Sequence, residues 1–559
     1  MHGLNVTFHC LATAHGDDGL SFHVDLHREV FSLFPGVMEV AGEDVDDVGK
    51  QVDGVVPDHG HPTVSCRIRC VGAILNCCAT AGDPFLCWSD HDLHSGPLVQ
   101  TVLGNVVRMT STALLTDMYE LTMIRAALAS GVADRRCTFE LFPRRLPQGR
   151  SYGVVAGTGR ALEALAEFRF GDQEISYLAE AGVADDALAQ WLAGYRFSGT
   201  IRGYGEGELF FSGSPVLVVE GSFAEAVVLE TLMLSIFNHD SAVASAASRM
   251  TLAAEGRPII EMGGRRTAEW AAVASARAAW IAGFASTSVL EAGRHWGIPV
   301  SGTAAHSFTL LFDSEQDAFA SQLNSMGENT TLLVDTYDVD QAIHTAVELT
   351  GGKLGGIRLD SGDLSTEVRR VRKLLDSLGA TKTRIIVTSD LDEYQIAALR
   401  GAPVDGFGVG TSVVTGSGHP TSGMVYKLVA RAQSDDPDAL QVPVAKRSTN
   451  KSTIGGRKTV KRQIGDDGKA TAEVIGIDIT PRADSNDRMV MVDLVRDGEI
   501  VGAEELSVAR ERHERARAEL PKTGLKISRA EQAIPTLYVD STGDERANVY
   551  LAGKPPANL

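Results

Sequence analysis

Between residues 298 and 412 the chain repeats one pattern, a short apolar run stopped abruptly by Asp, Ser, Thr or Gly. Runs close at Val300, Val334, Leu359, Val387 and Val409, and polar or glycine-rich breaks such as Asp335-Thr336-Tyr337, Asp360-Ser361-Gly362-Asp363 and Thr388-Ser389-Asp390 follow them. The segments between carry a helical period: from Thr366 to Leu378, the residues Val368, Val371, Leu374, Leu375 and Leu378 fall on one face. Apolar strands joined by amphipathic crossovers predict parallel pairing. An open doubly wound sheet would satisfy that pattern, but several polar strand ends converging on one place favour an α/β fold built as an irregular TIM-like (β/α) barrel. Upstream, residues 109–237 mix helical stretches with strand-like ones such as Val216 to Val219, which predicts an α+β domain ahead of a barrel over 238–430.

The most informative break is Gly302-Thr303-Ala304-Ala305-His306-Ser307-Phe308, which places a histidine just beyond the run Ile298-Pro299-Val300. Strand ends on the carboxyl side of α/β folds are where catalytic groups project, and a neutral imidazole is both nucleophile and base near neutrality. The plainer reading is a hydrogen-bonded loop histidine. Thr303 and Ser307 carry hydroxyls close enough in sequence to orient the ring.

With 559 residues the chain can hold more than one domain, and its formal net charge of -20 argues against non-specific binding to nucleic acid or to an anionic membrane. No apolar run reaches the roughly 18 residues of a spanning helix, and the N-terminus lacks a basic region followed by an apolar one, so a cytoplasmic protein is expected.

Residues 1–108 have a different composition: they hold Cys10, Cys66, Cys70, Cys77, Cys78 and Cys87, nine of the 15 histidines and a single lysine, Lys50. A zinc module, a disulfide-bearing segment and an extension outside the natural protein compete here. Cys66 and Cys70 are four apart, Cys77 and Cys78 adjacent and Cys87 alone, which does not match paired zinc ligands, and His91 and His94 do not complete a set. A native start at Met109 is the expectation.

From Leu114 onward a series of motifs runs in order. Leu115-Thr116-Asp117-Met118-Tyr119-Glu120-Leu121-Thr122-Met123 is followed by Phe139-Glu140-Leu141-Phe142-Pro143-Arg144, Glu261-Met262-Gly263-Gly264-Arg265-Arg266 and the His306 segment. Val334-Asp335-Thr336-Tyr337, Arg358-Leu359-Asp360-Ser361-Gly362-Asp363 and Gly408-Val409-Gly410-Thr411-Ser412 complete it. The series resembles the nicotinate phosphoribosyltransferases, from Met109 to about Lys458. The resemblance implies ATP-coupled synthesis of nicotinate mononucleotide from nicotinate and phosphoribosyl pyrophosphate in NAD salvage. It also implies that ATP phosphorylates His306, that residues 431–559 return to the α+β domain, and that Tyr119 stacks on the pyridine ring in a neighbouring subunit's site, hence a homodimer. Nicotinamide or quinolinate transferases and a non-catalytic nucleotide-sensing barrel are the competing readings.

The remaining residues divide by charge and reach. Gly408, Gly410 and Thr411 make a small-residue turn that can approach a phosphate, or merely a tight strand-to-helix turn. Asp360 and Asp363 suit ribose hydroxyls or a Mg²⁺ held mainly by substrate, with no protein cage; Asp363 could equally cap the helix beginning near Leu364. Arg358 alternates with apolar Ile357 and Leu359 and needs an anion, which the family likeness makes the nicotinate carboxylate. Arg265 and Arg266 suit an anion clamp or surface salt bridges. His239 reads as part of a polar helix start, and Lys446, Arg447, Lys451, Arg457, Lys458 and Lys461 form a basic stretch suited to phosphate-rich ligands or to a solvated loop.

Overall fold

The apolar runs that end on polar residues form one all-parallel sheet. The computed structural model describes residues 111–436, 439–446, 453–528 and 530–541 in full, with the backbone of a few further strands. The sheet contains β1 (Ile259–Glu261), β2 (Ser286–Thr287), β3 (Thr331–Leu333), β4 (Gly356–Leu359), β5 (Arg384–Val387) and β6 (Gly406–Val409), in the spatial order β2-β1-β6-β5-β4-β3. Every neighbouring pair is parallel. Its outer strands β2 and β3 do not pair with each other among the described residues, so the sheet is open. The strand expected at Ile298-Pro299-Val300 is reduced to one bridge between Val300 and Thr287. Pro299 accepts from the Thr287 N–H at 3.0 Å but has no N–H to return, which limits that edge.

Burial explains the register. Ile357 and Leu359 are fully buried while Arg358 between them faces the other way, and Ile385, Val387, Phe407 and Val409 extend the same core. The crossover helix Leu364–Ser377 lays Val368, Val371 and Leu375 on that core, as its sequence period predicts. A second core holds Leu121, Phe139, Tyr204 and Val219 together with Tyr426, Val460 and Leu494. It underlies a seven-stranded antiparallel sheet in which Met424–Ala432 pairs with Arg136–Pro143 and Met491–Arg496 pairs with Thr200–Tyr204. The chain beyond the parallel sheet thus pairs with strands laid down before it. The expected boundary near 430 falls inside the strand Met424–Ala432, and the one at 237 inside the helix Glu230–Ala254.

That helix also corrects the reading of His239. It begins at Glu230, so His239 and Ser241 lie within it and cap nothing. Instead, Asp240 is buried and bound to Arg160 at 2.8 Å, with His239 Nδ1 at 2.8 Å from the same carboxylate, and Ser241 and Ser245 accept from the backbone N–H groups of Ala156 and Val154. Of the other histidines outside the series, His513 is fully buried, and burial depresses its pKa to about 3, a neutral structural group.

Contacts divide the chain into two units, Met1–Arg108 and Met109–Leu559. In the first, Cys10–Ala14 pairs antiparallel with Leu20–Val24, and Thr63–Cys70 with Ala73–Thr80. The cysteine and histidine side chains weighed there as metal or disulfide groups lie outside the described residues. Among the described residues no helix is long and apolar enough to cross a membrane.

Two residues of the basic stretch, Lys458 and Lys461, turn inward. Lys458 is buried against the Glu140 carboxylate and donates also to Ile454 O at 2.8 Å, while Lys461 meets Asp487 at 2.7 Å. Arg457 lies 3.4 Å from Glu220, Lys446 is exposed, and Arg447 and Lys451 fall outside the described residues. Removing one partner of a buried pair strands the other without water or counter-ion, so Lys458→Ala is expected to cost about 3 to 5 kcal/mol in denaturant unfolding. Glu140→Leu combined with Lys458→Met should recover most of that loss; a Lys458→Ala midpoint equal to the wild type would contradict it.

Candidate active site

The C-terminal ends of β3, β4 and β5 bring the site together. Asp335 follows β3 and is nearly buried; its Oδ2 accepts from the Asp360 N–H at 2.9 Å and from Ser361 Oγ at 2.7 Å. The other oxygen, Oδ1, is buried without a hydrogen-bond partner among the described residues and lies 3.9 Å from His306 Nε2. Asp360, just beyond β4, brings Oδ2 to 4.0 Å from the same nitrogen, and its Oδ1 accepts from the Thr388 hydroxyl at the end of β5. His306 opens the short helix His306–Leu310, its side chain 40% exposed, with Nδ1 3.1 Å from Thr336 Oγ1. The ring is therefore oriented by Thr336, not by Thr303 or Ser307: Ser307 is exposed, and Thr303 accepts from Arg358.

Arg358 projects from the middle of β4 toward the same space. Its Nη1 donates to Thr303 Oγ1 at 3.2 Å and to Ala304 O at 3.1 Å, its Nη2 lies 3.6 Å from Asp360, and its Nε is buried without a partner among the described residues. The guanidinium thus tethers the loop that carries His306 while keeping donor capacity. Beside it opens a cavity of about 710 Å³ lined by Met262, Arg265, Trp270, Val289, the Ser301–Ala305 loop and Arg358. Arg265 ends the turn Gly263–Arg265; it and Arg266 are exposed, and neither is paired with a carboxylate among the described residues.

Other expected residues stand apart from this group. Asp363 occupies the cap position of the helix Leu364–Ser377, where its exposed carboxylate accepts from Thr366 Oγ1 at 2.7 Å, and that bond holds its pKa below the usual range. It stands at the cap position but makes no side-chain bond to a backbone N–H of the first turn. Tyr119 is on the helix Met118–Ala129, 43% exposed and not among the cavity-lining residues of its own chain. Partial burial and the nearby Glu230 push its phenol pKa up, while the adjacent Glu120 is buried, accepts from Thr231 N at 2.8 Å and from Thr231 Oγ1 at 2.6 Å, and is raised by burial to about 7.

Gly408 owes its small size to packing: a Cβ there would lie 2.5 Å from Thr388 Cγ2 and 2.7 Å from Met262 Sδ. Gly410 precedes the helical turn Thr411–Val414, and a Cβ there would lie 3.3 Å from Met262 O; Thr411 itself is exposed. Asp335, Thr336 and Thr388 were present in the sequence as strand-end residues but carried no role; only their shared position after apolar runs could have singled them out.

Residues 114–238 match the nicotinate phosphoribosyltransferase (NAPRTase) N-terminal domain. The chain is 54% identical over 432 residues to the nicotinate phosphoribosyltransferase pncB1 of Mycobacterium tuberculosis, a match covering 76% of this chain and 94% of that protein. The chain belongs to the nicotinate phosphoribosyltransferase family. Another member, from Bacillus subtilis, is 40% identical over 63% of this chain and 74% of its own length. The fold is similar to that of human nicotinic acid phosphoribosyltransferase, with a TM-score of 0.67 and 24% identity over 77% of this chain and 98% of that structure. It is also similar to a nicotinate-nucleotide pyrophosphorylase from Pyrococcus furiosus, with a TM-score of 0.61 and 22% identity over 74% and 97% of the two chains. Family membership agrees with the ordered motifs, three of which bring His306, Asp335, Arg358 and Asp360 together.

Gly408→Ala should overpack the contact among β6, Thr388 and Met262 and cost about 1 to 3 kcal/mol in thermal or denaturant unfolding. Unchanged stability would contradict a packing role for this glycine.

Proposed function

We propose that this cleft transfers the phosphoribosyl group of phosphoribosyl pyrophosphate to nicotinate, in NAD salvage, with ATP phosphorylating His306. The observation that supports it best is the convergence of Arg358 from β4 and His306 from its short helix on the two carboxylates that follow β3 and β4, each contact within 4.0 Å. The parallel sheet serves as a barrel-like scaffold, and a homodimer in the cytoplasm, with Tyr119 of one copy stacking on the pyridine in the other's cleft, completes the reading. Residues 109–559 carry the activity.

In the transfer, the pyridine nitrogen forms a bond to C1 of the ribose as the bond from C1 to the diphosphate oxygen breaks, releasing pyrophosphate and nicotinate mononucleotide. Arg358 supplies a planar fork for the nicotinate carboxylate, and Arg265 a second cation for an anionic group of either substrate. Asp360 accepts from ribose hydroxyls, and the backbone N–H groups at Gly410 and Thr411 approach a phosphate, with the Thr411 hydroxyl beside them. In the coupling step an imidazole nitrogen attacks the γ-phosphorus, ADP departs, and water later hydrolyses the phosphoramidate.

Two carboxylates facing the imidazole repel an incoming phosphoryl group. The unpartnered Asp335 Oδ1 and the neighbouring Asp360 Oδ2 are hard oxygen donors that fit a divalent cation shared with substrate oxygens, and Mg²⁺ bound there would offset that repulsion. Arg358 and Thr336 meanwhile hold the loop and the ring in place.

His306→Ala should abolish ATP coupling while leaving slow nucleotide formation, since phosphorylation drives the reaction without making the glycosidic bond. Measured ADP released per mononucleotide formed should fall to background; an unchanged ratio would remove His306 from the coupling step. Arg358→Lys should raise KM for nicotinate by on the order of tenfold and more than it raises KM for phosphoribosyl pyrophosphate, because an ammonium cannot reproduce a bidentate fork. An unchanged nicotinate KM would move the carboxylate contact elsewhere.

A further inference from the structure

Glu261 is a fully buried carboxylate with no cation paired to it among the described residues, at the last position of β1. Its Oε1 accepts from the Gly263 N–H and its Oε2 from the Thr287 hydroxyl at 2.6 Å. Thr287 Oγ1 in turn accepts from the Val289 N–H at 3.0 Å, and the Glu261 backbone carbonyl accepts from Ser288 N–H at 2.8 Å. One residue therefore joins the end of β1, the end of β2 and the turn Gly263–Arg265. The turn has no slack around it: a Cβ on Gly263 would lie 2.7 Å from Glu261 Oε1 and 2.1 Å from Val414 Cγ1.

Leaving a carboxylate buried without a counter-ion is costly, and burial pushes the pKa of Glu261 up. The geometry accounts for its presence through what it holds. Arg265 is the next residue but one after Gly263, lines the cavity, and has no carboxylate partner among the described residues to fix it.

We propose that Glu261 is a positioning residue that sets Arg265 for anion binding through the Gly263 N–H and the Thr287 hydroxyl. This rests on the reading of Arg265 as a substrate clamp. Glu261 touches no substrate and forms no ion pair with Arg265; it fixes the backbone from which the guanidinium reaches into the cavity.

The test is a double-mutant cycle on the full chain, with KM for nicotinate and for phosphoribosyl pyrophosphate measured separately. Whichever KM is raised by Arg265→Ala should be raised about tenfold by Glu261→Ala, with little change in the other, and the double variant should be within about twofold of Arg265→Ala alone. Glu261→Gln keeps an acceptor for Gly263 and can pair with a rotated Thr287 hydroxyl, so it should stay within about threefold of the wild type. Thr287→Val removes one hydroxyl and carries the test if Glu261→Ala does not fold: it should raise the same KM and have no effect in the Arg265→Ala background.

Additive effects in the cycle, or an increase in the other substrate's KM, would overturn the proposal. So would Glu261→Gln being as impaired as Glu261→Ala. Arg265→Ala leaving both KM values unchanged would instead overturn the clamp reading, and the proposal with it.

Discussion

The site depends on the Asp335 carboxylate. By accepting from the Asp360 N–H and the Ser361 hydroxyl it fastens the end of β3 to the end of β4, and so fixes the spacing of the residues that follow both strands. Its second oxygen is left without a partner, facing His306. A buried acceptor with no donor carries a free-energy cost, which is tolerable where a charged ligand or ion can complete it. The same strand ends supply Thr388 to Asp360 and Thr336 to His306, so the polar groups of the cleft are held by one another and by the sheet rather than by flexible loops.

The parallel sheet is suited to this because its strands all deliver their C-terminal ends to one edge. Alternation along β4 buries Ile357 and Leu359 and leaves Arg358 to point toward the cleft, where the Thr303–Ala304 loop meets its guanidinium. The antiparallel sheet contributes stability of another kind. Its strand Arg136–Pro143 carries Glu140, which meets Lys458, 318 residues away at the start of a strand of another sheet, and ties the returning chain to it.

Much of this was legible in the sequence because its signals are local. Abrupt polar breaks after apolar runs marked β3 to β6, and a helical period marked the crossover Leu364–Ser377. What was not legible depended on partners distant in sequence. The basic stretch at Lys458 and Lys461 looks solvent-facing until Glu140 and Asp487 are placed against it. His239 resembled a helix start because Asn, Asp and Ser surround it, yet tertiary contacts with Arg160 and with the Val154 and Ala156 N–H groups place those polar residues inside a long helix. The run Ile298-Pro299-Val300 read as a strand like the others, yet Pro299 lacks an N–H for the ladder and the run yields a single bridge. Asp335 was visible as a strand-end acid, but its tie to Asp360 and Ser361 exists only once two strands are adjacent.

The central claim is that this family member's cleft joins a pyridine carboxylate to phosphoribose. The most direct measurement incubates the purified chain with phosphoribosyl pyrophosphate, Mg²⁺ and ATP, offers nicotinate, nicotinamide or quinolinate separately, and quantifies mononucleotide and ADP. The account predicts mononucleotide from nicotinate, with ADP released alongside, and little from the other two. Product chiefly from nicotinamide or quinolinate, or none from any pyridine, would contradict it.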